Sequence, residues 1–328
     1  MDDTGILSEM SGLERFIFRL RALYGKSGYR QYQMSKFEEY DLYARYRDFL
    51  ASEQIISFTD TDGKLRALKP DVTLSIIKNL PDRPRDLQKL YYDERVYRVS
   101  PGSGRFQELR QLGLECLGAV DDGALSEILE LACRSLQQIG ALASDDASAK
   151  DAVLELSQID ILRGLFDALG LTYDQWDRLL PVIQSKNLRS LRQLLSEFVP
   201  SPDAGTTAAC NLLQRLVAAP GEPRAMIALL RSDPSLVDQA RIDQLEGLIK
   251  MLPEALRSMI RLDFSLTGNS RYYNGIIFQG YVQGVPQRVL AGGQYDRMME
   301  RMGRRSRACG FALYLNLLER RFEGKRKA

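Results

Sequence analysis

The chain has 328 residues, with 45 Lys and Arg against 43 Asp and Glu, and it contains no histidine at all. Without an imidazole there is no His-centred triad, no HExxH zinc site and no two-histidine metal site. A net charge of +2 lacks the basic excess needed to coat nucleic acid or an anionic membrane. The four cysteines, Cys116, Cys133, Cys210 and Cys309, are too far apart for a zinc ribbon or a CxxC redox motif. They read as reduced core thiols of a cytoplasmic protein. No run approaches the roughly 18 apolar residues of a membrane span. The acidic start MDDTGILSEMSG is unlike a signal peptide.

In chain order, Ser11-x-x-Glu14 is a capping box opening a helix with Leu13, Phe16, Ile17, Leu20 and Leu23 on one face. The helix ends near Gly25–Gly28, and an extended stretch, 29–36, follows. Residues 55–69 (IISFTDTDGKLRALK) alternate on both sides of Asp62-Gly63, which predicts a hairpin. Pro70 fits the start of a short helix through Leu74, Ile76 and Ile77. Residues 87–99 and 107–118 read as strands joined by the turn SPGSG, and a helix is expected over about 126–139. The polar stretch 142–151 reads as a linker. Helical patterning then dominates 159–258, broken at Gly170, at Pro200–Gly205 and at Pro220-Gly221. Strand character returns at 260–266, 275–284 and 285–293. The segment CGFALYLNLLERRFEG predicts a strand running into a helix, and the basic end KRKA reads as solvated surface. Strands on either side of a helical middle, with hairpin turns, predict an α+β protein with a largely antiparallel sheet. The expected division is a discontinuous core, 1–141 with 259–328, and an inserted, mainly helical region, 142–258.

The strand from Arg110 to Cys116 is the most informative. Side chains alternate along it, so Leu112, Leu114 and Cys116 share the core face, while Gln111, Gly113 and Glu115 share the other. A glycine between an amide and a carboxylate leaves an open floor, suited to a small polar molecule such as an amino acid. The alternative is a face that is merely solvated. Asp71 and Thr73 lie at a helix start, where the carboxylate either caps the helix or presents free oxygens to an ammonium group. Tyr272 and Tyr273 precede the strand GIIFQGY, and adjacent residues of an extended chain face opposite ways, so at most one lines a given pocket.

The ordered segments GYRQYQMSKFEEYDLY, LKPDVT, YRVSPGSGRFQELRQLGLE, YYNGIIFQGY, AGGQYD and GFALYLNLLE resemble the catalytic core of class II histidyl-tRNA synthetases over about residues 10–322. They resemble still more the non-aminoacylating branch, the regulatory subunits of short-form ATP phosphoribosyltransferase. The resemblance implies a class II synthetase-like core, mostly antiparallel sheet flanked by helices. It also implies a histidine pocket in which Asp71 and Thr73, with Gln111, hold the α-ammonium while Glu115 and Tyr272 read the imidazole, with Tyr273 alongside. The positions of the synthetase arginines carry Gly268, Gln294 and Asn316-Leu317 instead, and Arg271 replaces an acidic residue. An arginine fork grips phosphate bidentately, and these residues do not. Arg98 remains as a residual anion or nucleotide contact. The expectation is therefore a subunit with no catalytic residue, metal or cofactor of its own. It would partner the short catalytic phosphoribosyltransferase and itself in a homodimer within a hetero-oligomer, and answer to free histidine. A synthetase-like enzyme that activates an amino acid with ATP and a stand-alone amino-acid sensor are the competing readings.

Overall fold

A computed structural model describes residues 9–50, 54–100, 102–141, 152–218, 220–268, 273–319 and 322. The capping box forms as its spacing requires. Ser11 Oγ accepts the Glu14 N–H, and the Glu14 carboxylate accepts the Ser11 N–H, at the start of helix α1 (Gly12–Lys26). Its face of Phe16, Ile17, Leu20 and Tyr24 is buried. Of the extended stretch that follows, only β1 (Arg30–Gln31) pairs with the large sheet. A small three-stranded sheet, in the order β2-β4-β3, is built from β2 (Phe37–Glu39), β3 (Ser57–Thr59) and β4 (Leu65–Leu68). Gly63, at φ +79°, turns the β3–β4 hairpin, and α2 (Tyr40–Arg45) precedes it. Helix α3 begins at Thr73 and runs to Asn79, three residues later than Pro70 suggests.

Strands β5 (Leu87–Val99) and β6 (Phe106–Gly118) pair antiparallel along their full length. Helix α4 (Asp122–Ala141) starts four residues before the expected position. The expected linker, 142–151, lies outside the described residues. Beyond it is a strand that the sequence reading missed, β7 (Ala152–Gln158), which is an inner strand of the large sheet. The helices that follow are α5 (Ile159–Ala168), α6 (Tyr173–Gln184), α7 (Leu188–Phe198), α8 (Ala204–Ala218), α9 (Pro223–Leu230), α10 (Gln239–Met251) and α11 (Glu254–Arg257). Three of their breaks fall where expected, at Gly170, at Pro200–Gly205 and at Pro220-Gly221, and those at 185–187, 231–238 and 252–253 were not read from the sequence.

The remaining elements are β8 (Ile260–Leu262), β9 (Ile276–Val282), β10 (Leu290–Gln294), α12 (Asp296–Arg301) and β11 (Arg307–Tyr314). Helix α12 has no counterpart in the sequence reading. After β11 the chain passes through a 3-10 turn, Leu315–Leu317, and the helix expected beyond the strand appears at Glu319 and Phe322.

The large sheet has the order β1-β5-β6-β11-β10-β9-β7-β8, parallel only at the two edge pairs, β1–β5 and β7–β8. One face packs on α1 and α4. Leu112, Leu114 and Cys116 of β6 join Leu20, Ile128, Leu136 and the helical residues Leu165, Leu213 and Leu245 in one core. The opposite face carries a second core, with Tyr43, Leu74, Ile76, Tyr92, Tyr295 and Met298, and beside it a cavity. Cys116, Cys133 and Cys309 are buried free thiols, and Cys210 is half-buried. Among the described residues no helix is long and apolar enough to cross a membrane.

Candidate ligand-binding site

Alternation along β6 works as the sequence implies. Gln111 and Glu115 line a cavity of about 850 Å³ on the sheet face opposite α4. The neighbouring strand makes room for the carboxylate. Gly310 of β11 is the register partner of Glu115, and a Cβ at 310 would collide with Glu115 Oε2. Gly113 is different from its expected role as an open floor. The ring of Tyr92, its register partner on β5, lies over it, and a Cβ there would strike that ring and the Phe311 carbonyl. The glycine admits a tyrosine of the protein itself.

Glu115 is 2 % exposed and holds two hydroxyls. Thr73 Oγ1 donates to its Oε1 at 2.6 Å, and Tyr295 donates to its Oε2. Burial pushes its carboxyl up to about 8, although the two hydroxyl bonds oppose the shift. Asp71 does both things left open for it. Its Oδ1 accepts the Leu74 N–H at 2.9 Å, capping α3, and the residue still lines the cavity. Burial raises its carboxyl too, partly offset by the Leu74 N–H and by Arg98. Arg98 lines the same end, with its Nε donated to the Pro70 carbonyl at 3.0 Å.

Tyr273 lines the cavity, and its carbonyl accepts from Arg163 at 3.1 Å. Arg271 and Tyr272 lie outside the described residues. Asp71, Thr73, Gln111, Glu115, Tyr273 and Arg98 thus border one cavity, although they come from four separate stretches of chain. The sequence reading missed Tyr295 and Tyr92. The signal for Tyr295 was its place straight after a Gly-Gly strand, at the end of the pairing Gln294↔Cys309.

Two of the positions that lack arginine have local structural explanations. Gln294 is buried, and its Oε1 accepts the Ile276 N–H at 2.9 Å, so its amide braces backbone. Gly268 has φ +57°, and any Cβ there would sit 3.1 Å from the Tyr273 ring.

The family model for histidyl-tRNA synthetase matches residues 6–318. The chain belongs to the histidyl-tRNA synthetase family. Within that family it sides with ATP phosphoribosyltransferase regulatory subunits. It is 26% identical over 307 residues to the one from Alkaliphilus metalliredigens, covering 92% of this chain and 74% of that one. It is also 26% identical over 304 residues to the one from Clostridium kluyveri, covering 90% and 74%. Solved structures show the same fold. A Bacillus halodurans protein described as an ATP phosphoribosyltransferase regulatory subunit/histidyl-tRNA synthetase superposes with TM-score 0.76 at 22% identity, over 95% of this chain and 79% of that one. A chain of the ATP phosphoribosyl transferase complex from Thermotoga maritima gives 0.68 at 19%, over 92% and 96%. The α+β, class II synthetase-like architecture expected from the sequence is therefore the one observed.

Proposed function

We propose that this family member is the regulatory subunit of ATP phosphoribosyltransferase, which condenses ATP with phosphoribosyl pyrophosphate at the start of histidine biosynthesis, and that it senses free histidine in the cytoplasm. In this reading the subunit activates a short catalytic partner, forms a homodimer within the hetero-oligomer, and transmits inhibition when histidine fills the cavity end at Asp71 and Glu115. The α-ammonium meets Asp71 and Thr73 with Gln111, and the imidazole meets Glu115 and Tyr272, with Tyr273 beside it. Arg98 keeps its terminal N–H groups for the ligand carboxylate. The synthetase-like core is 1–141 with 259–328 and the strand β7, and the helices from Ile159 to Arg257 form the insertion.

The observation that carries this reading is a buried carboxylate, Glu115, held by Thr73 and Tyr295 at the end of a cavity that also receives Asp71. A buried acid with pre-set hydroxyls is suited to an imidazole N–H, through a charge-assisted bond of about 1.5–3 kcal/mol. Calorimetry tests it. Glu115→Ala is expected to lose histidine binding by at least about tenfold with an unchanged circular dichroism spectrum. Unchanged affinity would place the effector elsewhere. Robust pyrophosphate exchange with ATP and histidine would instead make the chain a synthetase-like enzyme.

A further inference from the structure

The trough continues well past the Glu115 pocket. Glu155 of β7 lines it too, four strands from Glu115, and at about 4.8 Å per strand β7 and β6 lie about 19 Å apart across the sheet. Between them Ala291, Gly310 and Ala312 keep the floor low. A volume of about 850 Å³ is in the range that takes drug-sized ligands and is several times the bulk of one amino acid. An effector at Asp71 and Glu115 therefore leaves room at the β7–β9 end.

The charges at that end divide into two that are ion-paired and two that are not. Lys186 Nζ lies 2.8 Å from Asp263 Oδ2, and Asp263 Oδ1 accepts the N–H and O–H of Ser265 at 2.9 and 2.7 Å. Glu155 and Arg288 both line the cavity, yet among the described residues neither forms an ion pair. Glu155 sits opposite Gln279 of β9, and Arg288 lies just before β10, the strand on the other side of β9. Tyr281 stands near both: burial raises its hydroxyl's pKa, Glu155 adds to that rise and Arg288 opposes it. Burial, with the nearby Asp263, lifts the Glu155 carboxyl above its ordinary value, while Lys186 and the Tyr281 hydroxyl act against the shift.

We propose that the β7–β9 end of the trough is a second subsite, for a free α-amino acid whose ammonium pairs with Glu155 and whose carboxylate pairs with Arg288. The two acids and two bases at this end balance, which favours a zwitterion over a simple amine or acid. The guanidinium fork suits a carboxylate. Glu155 takes no part in the histidine reading, so this subsite stands on residues of its own.

Calorimetry on the full chain carrying Glu115→Ala, titrated in turn with each common L-amino acid, reads this end alone. At least one amino acid is expected to bind at one site per chain, while its decarboxylated amine and its N-acetyl derivative do not. Adding Glu155→Gln or Arg288→Gln is expected to weaken that binding by at least about tenfold. No binding by any amino acid, or binding indifferent to both added substitutions, would overturn the proposal. Should Glu115→Ala fail to fold, the same titrations on the unaltered chain against Glu155→Gln read the loss of a second site. Histidine binding to the Glu155→Gln chain scores the Glu115 pocket separately, so neither reading falls with the other.

Discussion

Glu115 couples the pocket to pH in a way that both stability and binding can report. Its carboxyl is raised to about 8 in the folded chain from an ordinary value near 4.5. The native state therefore binds more protons than the unfolded one between those values, and stability falls as pH rises through that window. At about 1.4 kcal/mol per unit, the loss is on the order of a few kcal/mol once pH exceeds 8. Thermal melts of Glu115→Gln should show a higher Tm than the unaltered chain above pH 8 and a flatter slope between pH 5 and 8. Equal slopes would mean that Glu115 titrates normally.

At the scale of elements, the pocket depends on how closely β6 and β11 approach at Glu115 and Gly310. A methyl group at 310 would press on the Glu115 carboxylate and the Leu114 carbonyl. Gly310→Ala is thus expected to cost about 1–3 kcal/mol in urea denaturation and to weaken histidine binding at the same time. Stability lost without any change in binding would separate the glycine from the site.

The same scale shows what local sequence can and cannot reveal. The capping box at Ser11 and Glu14, the Asp62-Gly63 turn and the alternation of β6 are local rules, and each appears in the structure as read. Strand β7 was missed because it lies between a polar stretch and a helical run, and its identity comes from pairing with β9 and β8, distant in sequence. Gly113 was read as a floor because its partner across the ladder, Tyr92, is invisible to periodicity. Tyr295 was missed because its hydroxyl reaches Glu115 only after a 180-residue return of the chain.

For the whole molecule, regulation requires two sites and a coupling free energy, typically 1–3 kcal/mol. Helix α6 and the residues just after it touch the segment after β8. Gln184 donates to Thr267 Oγ1 at 2.7 Å, and Lys186 pairs with Asp263. The helical region is thus tied directly to the cavity wall. In an assay with the catalytic phosphoribosyltransferase, Glu115→Ala is expected to retain activation while histidine inhibition weakens by roughly the 5–150-fold that such coupling corresponds to. Loss of activation together with inhibition would place Glu115 in the subunit contact instead.

The pairing of β6 with β11 also has a consequence for biogenesis. Nearly two hundred residues separate Glu115 from Gly310, so a nascent chain emerging from the ribosome has β5 and β6 in hand long before the strand that flanks them exists. Non-local pairings of this kind slow folding and leave unpaired strand edges open to aggregation meanwhile. Because the cradle around Glu115 is complete only after β11 has been translated, its ligand can reward the finished fold but cannot guide the early steps of synthesis.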